Sequence, residues 1–212
     1  MKIFLFGSTG GTGKEILLSL LEDNFQVTAL ARDPSALAFA DISSNFHIVK
    51  GNVYDPESYQ EELGNCDVVI STLGPRTSRS KTEIYSKGGQ AILSAMRKAK
   101  IKRLITLTAA AFDPNDPNYN NFLLRFIVRP LLKNIYVDMQ KWEDILEHTT
   151  DISWTCIRPS RLTNGSEKGN YRIQQNYCPN GGRKISRKDL ANFVISQIHS
   201  TDFIHKKPAI AY

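Results

Sequence analysis

The chain has 212 residues, 41% of them hydrophobic, and a formal net charge of +6. That length suits one α/β domain with a core of its own, which excludes a disordered polypeptide. The basic residues are spread out without aromatic interleaving, and the three cysteines and four histidines form no cluster, which argues against a nucleic-acid surface, a disulfide framework and a metal site.

Lys2 to Phe6 read as a short apolar strand that runs directly into Gly7-Ser-Thr-Gly-Gly-Thr-Gly13. Ile16, Leu17, Leu20 and Leu21 then repeat at helical spacing. A diphosphate needs a tight turn, a backbone without Cβ atoms in its way and free N–H groups at a helix N-terminus. Gly7 suits the turn, Gly10 the close approach and Gly13 the packing of helix on sheet. Gly11 completes the run, and Ser8, Thr9 and Thr12 add hydroxyl donors. A glycine triplet alone is a weak signal; between a strand and a helix it points to a dinucleotide. Phe25 to Leu30 form the next strand, and Ala31-Arg32-Asp33-Pro34 follows. An acidic residue at this strand end holds the ribose of NAD, whereas an arginine accommodates the 2′-phosphate of NADP. Arg32 therefore favours NADPH over NADH; the competing reading is a solvated Arg32 with Asp33 as the ribose ligand. Lys14 also approaches phosphate, or lies on an exposed helix face.

Strand and helix patterns then alternate as a parallel sheet requires. Phe46 to Lys50 form a third strand, with a helix from about Pro56 to Leu63. Asp67 to Thr72 make a fourth strand, followed by a long helix from about Thr82 to Lys100. The cluster Arg97, Lys98, Lys100, Lys102 and Arg103 sits where that helix ends, and cations there complement its dipole. Arg103 to Leu107 form a fifth strand and Ile152 to Ile157 a sixth. Ala109 to Thr149, between them, holds loop residues and two helical stretches. A last helix runs from about Arg187 to Ser200, and Pro208 to Ala211 suit an edge strand. The expected architecture is a single, doubly wound Rossmann domain over residues 1–212: a mostly parallel sheet flanked by helices, with substrate-end elements from about 109–149 and 158–186.

In such sheets ligands bind at the carboxyl ends of the strands, where the strand order reverses. That rule nominates Asn52 and Val53 for the adenine, and Leu73, Gly74, Pro75 and Arg76 for the passage past adenosine and diphosphate. It also nominates Thr108 and Ala109 for the nicotinamide, and Pro159, Ser160 and Arg161 for the substrate end. Arg76 closes over phosphate or is simply a solvated loop residue.

Gly7–Gly13, Ala31-Arg32-Asp33, Gly51-Asn52-Val53, Leu73-Gly74-Pro75-Arg76, Leu107-Thr108-Ala109-Ala110, Met139-Gln140-Lys141, Arg158-Pro159-Ser160 and Ile185–Ala191 occur in this order along nearly the whole chain. With these pieces the sequence resembles the atypical short-chain dehydrogenase/reductase superfamily, in its NAD(P)H-binding, NmrA-like branch that includes flavin reductases. The resemblance implies a Rossmann fold and NADP binding, with Asn52 standing where the family usually has Asp.

The resemblance also exposes a gap. Dehydrogenases of the wider superfamily use a Tyr-x-x-x-Lys helix and a Ser or Thr after strand five. None of the eight tyrosines has a lysine four residues on, and Ala109 stands at the family's serine position, with Thr108 the neighbouring hydroxyl. Hydride transfer to a flavin or quinone needs less of the protein, because a delocalised acceptor takes the charge and water supplies the proton. Tyr136 aligns with a substrate-pocket position of the flavin-reductase branch, so it is a candidate contact or proton donor, with plain core packing as the alternative. The expected activity is NADPH-dependent reduction of a flavin, quinone or similar small acceptor; the alternative is a non-catalytic NADP-binding sensor.

The apolar segment Asn121 to Lys133 carries Arg125, Arg129 and Lys133 at four-residue spacing, which suits a packed helix with its basic stripe in solvent, a dimer face or a lid. The first apolar run breaks at Gly7, and no stretch approaches the length of a membrane span. A cytoplasmic monomer or homodimer, binding neither nucleic acid nor membrane, is expected.

Overall fold

The computed structural model describes residues 1–40, 43–75, 82–117 and 124–212. Its main sheet is built from β1 (Lys2–Phe6), β2 (Gln26–Ala31), β3 (Phe46–Lys50), β4 (Val68–Ser71), β5 (Arg103–Leu107), β6 (Ser153–Pro159), β8 (Arg172–Gln175) and β10 (Pro208–Ala211). The strand order is β3-β2-β1-β4-β5-β6-β10-β8, parallel throughout except for β8. β7 (Arg161–Thr163) and β9 (Lys184–Ser186) form a separate parallel pair.

Strands of a parallel sheet are covered on both faces, so they read as unbroken apolar runs. Ile3, Phe4, Leu5 and Phe6 are accordingly all fully buried. Alternate side chains serve opposite layers. Ile3, Leu5, Val27 and Ala29 pack with Ile16, Leu17 and Leu20 of α1 (Gly11–Glu22) and with Leu190 and Val194 of α5 (Arg187–Ser196). Phe4, Phe6 and Val69 pack on the other side with Leu63 of α2 (Gln60–Gly64), Ile92 and Met96 of α3 (Ser86–Ala99) and Trp142 of α4 (Arg129–Glu147). This is the doubly wound α/β arrangement. The order reverses between β1 and β4, which opens a crevice at their carboxyl ends.

Local chemistry moved several boundaries. The helix expected from Pro56 to Leu63 is a 3-10 turn, Pro56–Ser58, followed by the short α2. Tyr59 lies between them at φ −148°, outside the helical region, with its ring fully buried and its hydroxyl donating to Val53 O at 3.1 Å. α3 begins at Ser86 rather than Thr82 because Asp138, from α4, accepts from Tyr85 N at 2.9 Å and Ser86 N at 3.2 Å, and also from the Ser86 hydroxyl. Two orphan donors of the helix start are thus satisfied from another helix. Pro208–Ala211 is an inner strand, not an edge: β8, which carried no apolar alternation to announce it, pairs on its outer side.

Within Asn121 to Lys133, Leu124–Val128 form a wide helical turn that continues into α4. Of the expected basic stripe, Lys133 is exposed and Arg129 departs from it, while Asn121 to Leu123 and the Arg125 side chain lie outside the described residues. Arg129 is half-buried and its Nη2 donates to Asp113 O at 2.7 Å, whereas Phe126, Ile127 and Leu131 are 58%, 54% and 55% exposed.

Candidate functional site

The crevice between β1, β2 and β4 is a cleft of about 660 Å³. Gly7 turns the chain at its floor with φ +80°, and a Cβ there would meet Thr72 O at 2.6 Å. Gly10 N bonds back to Gly7 O at 3.1 Å, and α1 starts at once, with Gly10 as an N-cap that offers no side-chain acceptor. Gly13 packs on the turn itself; a Cβ at that position would lie 2.2 Å from Gly7 O. Side chains are thereby kept out, and the N–H groups of a helix start are left without a side-chain partner. An anionic group with several acceptor oxygens fits this cradle.

Gly7, Thr9, Gly10, Gly11, Thr12, Gly13, Arg32, Asn52, Val53, Leu73, Gly74 and Pro75 all line the cleft. Ser8 does not: it is fully buried, and its hydroxyl donates to Leu30 O at 3.4 Å, tying the turn to β2 rather than offering a donor to a ligand. Arg32 is exposed at the rim. Asp33, the rival ribose ligand, is not among the lining residues, and its Oδ1 accepts Ser35 N at 3.1 Å and the Ser35 hydroxyl at 2.7 Å. Asn52 uses its Oδ1 to accept Tyr54 N at 3.2 Å. Arg76 lies outside the described residues.

Tyr54, Thr82, Ile84 and Arg187 are among the lining residues that sequence reasoning did not nominate. Tyr54 follows Val53 directly and was within reach of the same strand-end rule. Burial raises its hydroxyl pKa, with the Asp138 carboxylate adding to the effect. Arg187 arrives from the far end of the chain, where no local pattern connects it to the glycines.

The residues nominated for the nicotinamide and acceptor end do not line this cleft. Thr108 is buried, and its hydroxyl donates to Glu143 Oε1 at 2.7 Å, so it points into the core instead of standing free for catalysis. Ala109 packs on the α3/α4 side of the core. Pro159 closes β6, and Ser160 is buried with its hydroxyl lacking a partner among the described residues. Arg161 is exposed. Tyr136 is half-buried on α4 beside Phe112, ring centroids 6.5 Å apart. Burial raises its pKa, against the opposing pull of Arg129, so the phenol stays protonated at neutral pH. Four residues on, where a lysine would lower that pKa, stands Gln140, whose amide donates to Asp144 at 2.7 Å.

Beneath this end lies a buried ionic network that the sequence did not reveal. Arg158 donates through Nε to Glu143 Oε1 at 3.1 Å and through Nη2 to Oε2 at 2.5 Å; its Nη1 reaches Asp113 Oδ2 at 3.1 Å and Asn176 O at 2.6 Å. Lys207 Nζ adds a second cation 3.7 Å from Glu143 Oε2. Burial, and then the Glu143 charge, push the neighbouring Cys156 thiol well above its ordinary pKa, so this cysteine is no nucleophile. The network fastens β6, α4 and the loops at 113 and 176 to one another.

Comparison with known proteins agrees with this geometry. Residues 7–201 match the model of a family described as NAD(P)H-binding. The uncharacterized protein YwnB of Bacillus subtilis is 26% identical over 207 residues, covering 93% of this chain and 92% of that protein. A short-chain dehydrogenase/reductase from Veillonella parvula, solved in complex with NADP, superposes with a TM-score of 0.81 over 100% of this chain and 94% of its own, at 16% identity. A candidate NADH-flavin reductase from Streptococcus pneumoniae does so with a TM-score of 0.79 over 100% and 99%, at 20% identity. Identities this low carry the fold alone, but the family match runs from the glycine turn to beyond α5. The chain belongs to the NAD(P)H-binding family.

Proposed function

We propose that this protein is an NADPH-dependent reductase that delivers hydride to a flavin, a quinone or a similar conjugated acceptor. The observation that carries the cofactor half is the cleft itself, with a glycine cradle at its floor and an exposed guanidinium at its rim. Gly7 to Gly13 hold the diphosphate against the start of α1. Arg32 takes the 2′-phosphate, for which its charge and planar fork are suited. Asn52, Val53 and Tyr54 receive the adenosine, and Leu73, Gly74 and Pro75 form the opposite wall.

The bound dinucleotide supplies the hydride. The choice of acceptor rests on what the chain lacks: no Tyr-x-x-x-Lys pair occurs in it, and the Thr108 hydroxyl is committed to Glu143. Alcohol–ketone chemistry needs a positioned acid, whereas a conjugated ring spreads the incoming charge and takes its proton from water. The protein's task is then to stack the acceptor and exclude alternatives, with Tyr136 as a protonated, partly buried wall. The name of the Streptococcus pneumoniae relative points in the same direction.

A second reading, a dinucleotide-responsive binding protein without turnover, is favoured by one observation: the cleft lining includes none of Thr108, Ala109, Tyr136 or Ser160. Dihydronicotinamide oxidation with FMN, riboflavin and a quinone separates the two. Turnover with NADPH preferred over NADH is the expected result. Tight NADPH binding with no oxidation by any acceptor overturns the reductase in favour of the sensor.

A further inference from the structure

Arg187, the first residue of α5, meets the glycine turn from the opposite side of the chain. A Cβ built on Gly11 would stand 3.1 Å from its Nε. Its Nη1 donates to Asn164 Oδ1, a neutral acceptor that aims the guanidinium without cancelling its charge. Its Nε is buried and has no hydrogen-bond partner among the described residues. The nearby carboxylate of Asp189 is occupied by the hydroxyls of Ser186 and Tyr212 and by the main-chain N–H groups of Lys168 and Gly169. α1 meanwhile begins with no side-chain cap and no acidic residue in its first turn. A cation with an unsatisfied buried N–H thus lies over a helix start with unsatisfied N–H groups. Both demand the same thing, a multiply charged oxyanion between them.

We propose that Arg187 is a ligand of the dinucleotide's diphosphate, closing over the glycine turn from the C-terminal part of the chain, with Asn164 as its positioning residue. This assignment rests on the dinucleotide reading of the cleft and adds to it a contact indifferent to the 2′-phosphate. Arg32 sorts NADP from NAD; Arg187 holds what the two share.

The test is titration of the ligand-free protein with NADP⁺, NAD⁺ and adenosine 2′-monophosphate, followed by calorimetry for the dinucleotides and ligand-observed NMR for the monophosphate. Arg187→Met should weaken NADP⁺ and NAD⁺ by the same factor, about ten- to a hundredfold for one charge-assisted hydrogen bond lost. Adenosine 2′-monophosphate, which has no diphosphate, should bind unchanged. Arg187→Lys should recover only part of the loss, since the ammonium lacks the Nε donor. Should Arg187→Met not fold, Asn164→Ala takes its place: a smaller loss with the same ligand pattern supports the assignment, and unchanged dinucleotide affinity overturns it. Wild-type protein that binds no dinucleotide overturns the reading of the cleft. Wild-type binding with Arg187→Met unaffected, or with all three ligands weakened alike, overturns the Arg187 assignment alone.

Discussion

Replacing Glu143 with glutamine would strip Arg158 of its main counterion without changing side-chain volume. The two side chains are 0% and 3% exposed, so water cannot take over the missing charge. Removing one partner of such a pair costs about 3–5 kcal/mol. The lower end applies here, because Asp113 Oδ2 remains 3.1 Å from Arg158 Nη1 and keeps part of the compensation. A loss of about 3 kcal/mol is a large share of the ~5–15 kcal/mol that holds a typical domain folded. For a chain of this size it corresponds to a fall in Tm of roughly 6–12 °C, at about 2–4 °C per kcal/mol. Urea unfolding should show a lower midpoint with an unchanged slope, the sign of lost stability without a changed fold. The double variant Glu143→Gln/Arg158→Met should be milder than the sum of the two single changes, because the stranded charge leaves with its partner. Dinucleotide affinity should hold, since neither residue lines the cleft. A loss below about 1 kcal/mol, the range of solvated surface pairs, or a double variant that is simply additive, would refute the buried network as described.

Arg32→Ala should weaken NADPH far more than NADH; equal losses, measured by titration, remove the 2′-phosphate assignment. Tyr136→Phe should change flavin-reductase turnover by less than about tenfold, since a general acid contributes 10²–10⁴-fold; a drop in that larger range would make Tyr136 the acid after all. The Arg97 guanidinium beside Asp151 holds its carboxyl at about 2, below the ordinary 3.8. With the folded value depressed, this pair stabilises the protein fully above about pH 4 and loses its effect as pH falls towards 2. Its side chains are 47% and 44% exposed, so the gain is small, under about 1 kcal/mol. The stability gap between wild type and Arg97→Ala at neutral pH should therefore close on acidification; a gap that persists to pH 2 assigns the effect to packing of the arginine stem.

β1 to β6 were legible in the sequence because buried parallel strands are apolar on both faces and end where glycine, proline or polar residues begin. The glycine turn was legible for a related reason, that only one residue type tolerates a φ of +80° and a neighbour at 2.6 Å. What stayed hidden depends on partners far along the chain. Arg-Ile-Gln-Gln at 172–175 is exposed at every position and becomes β8 only because β10 offers it a free edge. Tyr59 interrupts a helix in order to fill the core, and Asp138 sets the start of a helix on which it does not lie. Ser186 at the N-cap of α5, with Asp189 N donating to its hydroxyl at 3.0 Å, was a readable helix start. Nothing local says that Arg187 beside it faces the glycines. Thr108 shows the opposite failure: its strand-end position was read correctly, but the direction of its hydroxyl was set by Glu143 on α4.

The carboxylate of Asp138 joins two regions that the chain keeps apart. Because it holds the N–H groups of Tyr85 and Ser86, the first turn of α3 is fastened to α4 two residues beyond Tyr136. Ile84, on the wall of the dinucleotide cleft, is next in sequence to that fastening. The cleft wall and the helix bearing Tyr136 are therefore braced together. Asp138→Asn, which keeps the side chain's size but removes the charge that these two N–H groups share, should therefore loosen the cleft wall and the start of α3 together.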